Sequence, residues 1–140
     1  MTEIRPDLTG GKRLPKSNFA VAAAVLFALS SPALAAPGDM SVGAFLAKAE
    51  ALKKKGPLAL MSRDVGLLKG EVQASGQSYR ERIKADKAAG RKPHSCPPEK
   101  ASMNSDDLLA HLRSYPAASR KSVSMNQAFS DLMKTRYPCG

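Results

Sequence analysis

Cys96 and Cys139 are the two cysteines of a 140-residue chain. Their chemistry depends on the compartment, and the start of the chain bears on that. Lys12, Arg13 and Lys16 form a basic leader, and Phe19 to Leu29 is an apolar run without a charge. Ser30, Ser31 and Pro32 break the run, and Ala33-Leu34-Ala35 puts small residues where a signal peptidase reads. A cleaved secretory signal is therefore expected over residues 1–35, with the cut before Ala36; a cut one residue later would leave Pro37 beside the scissile bond. The competing reading is an uncleaved anchor, but a spanning helix needs about 20 apolar residues, and this run is shorter. Export, with a periplasmic destination expected, means an oxidising compartment in which an even cysteine count favours a disulfide. One intrachain pairing exists, Cys96 with Cys139. Closing that loop is worth about 4 kcal/mol by chain entropy. Free or intermolecular thiols are the alternative.

The expected mature chain, 36–140, keeps 18 basic and 10 acidic residues, a net charge of +8. Its length allows one modest core. With no Trp and few aromatics, that core must be built mostly from Leu, Val, Met and Ala, and a covalent staple suits such a domain.

The apolar spacing is helical throughout. Ser41 is a plausible N-cap for a first helix carrying Val42, Phe45, Leu46, Ala49 and Leu52. Lys53 to Lys55 suit the negative end of its dipole, and Gly56-Pro57 stops it. Leu58 to Met61 reads as a short apolar turn or helix, with Ser62 or Asp64 capping the next. A second helix is expected from Val65 to about Ala89. In it Gly66, Gly70 and Ala74 form a stripe of small residues that would admit a neighbouring helix, and Gly76 is a point where the helix is expected to kink or break. Prolines stiffen the segment around Cys96. Asn104, with Asp107 three residues on, resembles a capping box for a third helix bearing Leu108, Leu109, Leu112 and Tyr115. A fourth helix is expected over about Ala118 to Arg136, with Met125, Phe129, Leu132 and Met133 on one face. No period-2 run of β-branched residues appears. The fold expected is all-α: one domain, a small bundle of four to five helices stapled by one disulfide.

Catalytic and metal chemistry find little purchase. Cys96 or Cys139 with His94 or His111 is the one cysteine–histidine option, and it competes with the disulfide. The same four residues have zinc-ligand types but no zinc-finger spacing. There is no nucleophile elbow, phosphate loop, H-E-x-x-H or calcium loop. No enzyme activity and no cofactor are expected. The sharpest electrostatic feature is the basic run from Arg80 to Lys92, where Arg80, Arg82, Lys84, Lys87, Arg91 and Lys92 outnumber Glu81 and Asp86. Arg80, Lys84, Lys87, Arg91, Lys92 and His94 are the candidate partner-binding residues. They would face an acidic protein surface or an anionic envelope polymer or lipid; a solvated helix end is the bland alternative. Nucleic acid is not expected, since export removes the chain from it and no aromatics interleave the charges.

The C-terminal half has an ordered pattern. Cys96-Pro97-Pro98 is followed by Leu108 to Leu112 with Tyr115-Pro116, then a helix with Ala128 and Leu132, then Tyr137-Pro138-Cys139. This resembles the Rap/Tai family of type VI secretion amidase immunity proteins. The resemblance covers Cys96 to Cys139, under half of the mature chain. It implies a small, periplasmic, all-helical protein with a Cys96–Cys139 disulfide. It also implies a partner, a peptidoglycan amidase effector that the protein binds and blocks, often as a homodimer. Two other functions stay open: a stand-alone envelope stress or chaperone-like helical protein, and a basic module for anionic envelope surfaces.

Overall fold

The computed structural model describes residues 35–140. All of the expected signal segment except Ala35 lies outside them. The described residues form four α-helices in order: α1 (Val42–Lys55), α2 (Arg63–Ala88), α3 (Ser105–Ser114) and α4 (Met125–Arg136). Short 3-10 turns sit at Gly56–Met61 and Ser119–Lys121. The all-helical architecture expected from the spacing is present.

The caps explain most boundaries. Ser41 is extended, and its Oγ accepts the Ala44 N–H at 3.2 Å. At the other end of α1, Gly56 takes φ 57°, a left-handed value that favours glycine. Ser62 begins α2 by accepting the Asp64 N–H. Lys48 reaches the Asp64 carboxylate at 2.8 Å and ties α1 to the first turn of α2. Asn104 Oδ1 accepts the Asp107 N–H at 2.8 Å, as its position predicts. The reciprocal half of the expected capping box is replaced: the Asp107 carboxylate takes Arg136 Nη1 at 2.6 Å and joins α3 to α4.

Three expectations are corrected. First, α2 runs unbroken past Gly76. A Cβ at Gly76 would stand 3.6 Å from Phe129 Cζ, so this glycine marks the close approach of α4. Second, the stripe begun by Gly66 and Gly70 admits no neighbour among the described residues, because none of them lies within 4 Å of a Cβ at either. The covered face of α2 is instead Leu68, Glu71, Ser75, Gly76, Tyr79 and Ile83. Third, α4 begins at Met125, not near Ala118. Ser124 forms an antiparallel bridge with Ser41. The Val42 N–H donates to Val123 O at 2.9 Å, and the Met125 N–H donates to Met40 O at 2.8 Å. Those bonds require extended backbone just where a continuous helix would have run.

Two groups of buried side chains result. Val42, Phe45, Leu46, Leu68, Leu108, Leu112, Met125, Ala128 and Leu132 join all four helices. Tyr79, Ile83, Phe129 and Met133 form a second cluster between α2 and α4, with the Tyr79 and Phe129 rings 5.8 Å apart. The disulfide joins Cys96 and Cys139 with Cα atoms 5.0 Å apart. The Cys96 N–H also donates to Tyr137 O at 2.8 Å, so the two chain segments are paired by backbone as well as by sulfur. No helix among the described residues is long and apolar enough to cross a membrane.

Candidate functional site

The basic stretch and the second cluster meet in a groove. Its floor is Gly76, Tyr79, Ile83, Phe129 and Met133. One wall is cationic: Arg80, Lys84 and Lys87, spaced i, i+4 and i+7 and therefore on one face of α2. The opposite wall is the segment after the disulfide, with Pro97, Pro98, Ala101, Ser102 and Met103. Tyr137 also lines the groove, and Glu99 is the single carboxylate among the described residues of the lining. The volume is about 430 Å³. Buried contacts hold both sides. The Tyr79 hydroxyl hydrogen-bonds Ser95 Oγ in the interior, and the disulfide fixes the next residue to the end of the chain. The position of the proline wall thus follows from the covalent link.

The six candidate residues divide here. Arg80, Lys84 and Lys87 stand together, exposed, along the groove. The other three make contacts within the chain. Arg91 binds the Asp86 carboxylate through both Nε and Nη2, at 3.1 and 2.8 Å. Lys92 Nζ donates to the Gly140 carbonyl at 3.3 Å. His94 is half-buried, and its Nδ1 is enclosed without a hydrogen-bond partner. Burial holds the His94 imidazole below its ordinary pKa of 6.5, and the charges of Arg82 and Lys134 push the same way.

That depression has a consequence for stability. Below the unfolded pKa, the unfolded chain takes up a proton that the folded His94 refuses. Folding stability from this group is therefore complete above about pH 7 and falls as pH drops through 6.5 toward the folded value. Asp64 and Asp107 are also depressed, chiefly by hydrogen bonds from Lys48 and Arg136, but their contribution is lost only in the acid range below about pH 4. Urea midpoints are expected to fall between about pH 7 and 5.5 in the native chain and to stay flatter in His94→Gln. Parallel slopes in the two proteins would assign the pH dependence elsewhere.

Glu71 escaped the sequence reading. It is buried, and its Oε2 accepts the Gly38 N–H at 2.7 Å and the Met40 N–H at 3.2 Å. It anchors the segment that leads into α1. The signal was present: Glu71 stands three residues after Leu68 and four before Ser75, on the apolar stripe of α2. A carboxylate at such a position needs donors, and the chain before α1 provides them.

A second groove of about 430 Å³ lies between α1, α2 and α3. Phe45, Leu68, Val72 and Leu108 line it, and Lys69 is the one charged residue among its described lining. Among the described residues no group of three or more His, Cys, Asp or Glu side chains is placed to hold a metal ion. Comparison with protein-family models, with curated proteins and with solved structures finds no match.

Proposed function

We propose that the protein is a non-enzymatic binding protein of the periplasm, and that it holds a protein partner through an acidic segment seated in the groove beside α2. The observation that carries this reading is the row Arg80, Lys84 and Lys87 above an apolar floor of Tyr79, Ile83 and Phe129. An apolar anchor from the partner would fill the floor, and its flanking carboxylates would meet the cations. The second groove lacks such a charged row, so it offers apolar contact with less means of selecting a partner. The disulfide agrees with an oxidising compartment.

The pattern from Cys96 to Cys139 extends the proposal to the partner's class, a type VI secretion cell-wall amidase that the protein inhibits. A purified amidase of this class, assayed on peptidoglycan, provides the test. Equimolar protein is expected to suppress hydrolysis, with Lys84→Glu/Lys87→Glu weakening inhibition at least tenfold at low salt. Full inhibition by the charge-reversed protein would remove the groove from the account. Failure to inhibit any amidase of the class would remove the proposed partner. Peptidoglycan hydrolysis by the protein alone would overturn its non-enzymatic role.

A further inference from the structure

The turn between α1 and α2 presents apolar side chains to solvent at a place that no other element among the described residues covers. Leu58, Leu60 and Met61 are 71, 83 and 86% exposed. They lie in the 3-10 turn Gly56–Met61, where residues three apart share a side, so Leu58 and Met61 point the same way. The charges nearest them in sequence are basic, and the next carboxylate, Asp64, is already held by Lys48 at 2.8 Å. From residue 51 to 63 the chain carries Lys53, Lys54, Lys55 and Arg63, all exposed, and no carboxylate.

We propose that this tip is a membrane-docking element that inserts Leu58, Leu60 and Met61 into a bilayer surface rich in anionic phospholipid, with Lys53, Lys54, Lys55 and Arg63 meeting the headgroups. The charge pattern selects this occupant. A second copy of the chain would set four cations against four cations, whereas an anionic headgroup layer complements all of them. The tip is also small: three side chains fall short of the about 800 Å² per partner of a standard protein interface. A single protruding turn nevertheless reaches the headgroup–acyl boundary, where apolar burial and basic charge add. The proposal stands on residues separate from the groove and does not depend on the function proposed for it.

The test uses a chain beginning at Ala36, which contains both buried clusters and the disulfide and omits the apolar run of residues 19–29. Vesicles of phosphatidylcholine alone are compared by co-sedimentation with vesicles of equal parts phosphatidylcholine and phosphatidylglycerol. Binding is expected to the mixed vesicles and to fall as salt rises. Lys53→Gln with Lys54→Gln is expected to lower partition about twenty-five-fold, about fivefold per charge. Leu58→Ser/Leu60→Ser/Met61→Ser is expected to lower it at least tenfold; because these side chains are exposed, the variant should retain its fold. The protein has no Trp, so Leu60→Trp gives a unique reporter whose emission should shift to the blue when mixed vesicles are added. The inference is overturned by failure to bind the mixed vesicles, or by unchanged binding of the triple Ser variant. Loss of binding in Lys84→Glu/Lys87→Glu alone would likewise overturn it and transfer the membrane contact to the groove. A blue shift that grows with protein concentration without vesicles would overturn it in favour of self-association.

Discussion

Replacing Cys139 by Ser is expected to lower the stability of the domain by about 4 kcal/mol, and its melting temperature by on the order of 15 °C. The loop that the bond closes spans 43 residues, and that length sets the entropy the unfolded chain regains. The loss is large beside the total of about 5–15 kcal/mol typical of a domain. Reduction should reproduce it, because Cys96 is exposed and Cys139 half-exposed. Calorimetry with and without reductant checks both: the native protein should shift, and Cys139→Ser should not shift further. An unchanged melting temperature in reductant would mean that the backbone bond from Cys96 to Tyr137 and the surrounding packing suffice. The expected effect is also local. The proline wall of the groove begins beside Cys96, so the variant should lose affinity for the proposed partner at temperatures where its helices are still intact.

Phe129→Ala is expected to cost about 4 kcal/mol. Phe129 is 7% exposed and packs on Gly76 and Tyr79. Gly76 has no side chain that could move into the vacated space, so the cavity collapses poorly, which favours the upper part of the usual range. Phe129→Leu retains much of the volume and should cost less than half as much. Urea denaturation of the two variants measures the difference, and equal costs would show that the neighbouring side chains repack freely. The substitution also removes part of the groove floor. A binding assay on the folded fraction of Phe129→Ala therefore asks whether the floor anchors the proposed partner, separately from the cations above it.

The parts of this fold that were legible in advance are those fixed by residues close in sequence. Ser41 and Asn104 cap from their own positions, and the spacing of Val42, Phe45 and Leu46 names a buried face without knowledge of its neighbour. The cysteine pairing was legible because the chain offers one intrachain choice. What failed depended on partners distant in the chain. The stripe of small residues from Gly66 has the same composition whether or not a helix covers it, and the helix that does approach α2 meets Gly76 instead. Spacing alone puts the start of α4 too early, because Ser124 pairs with Ser41, 83 residues earlier. The site divided in the same way. Arg80, Lys84 and Lys87 follow from helical spacing, but the retention of Arg91 by Asp86, of Lys92 by Gly140 and of His94 by its enclosure appears only when the chain is folded.

The disulfide also decides how this protein would carry a load. It encloses α3 and α4 in a covalent ring, while α1 and α2 lie outside it. Tension between Ala36 and Gly140 runs through α1 and α2 to Cys96, crosses the sulfur atoms, and leaves at Cys139. The backbone of α3 and α4 carries none of it. However hard the ends are drawn apart, about 150 Å of contour stays stored in the ring until the bond is reduced, so the part of the molecule that bears the proline wall and α4 is shielded from forces that would strip away its first two helices.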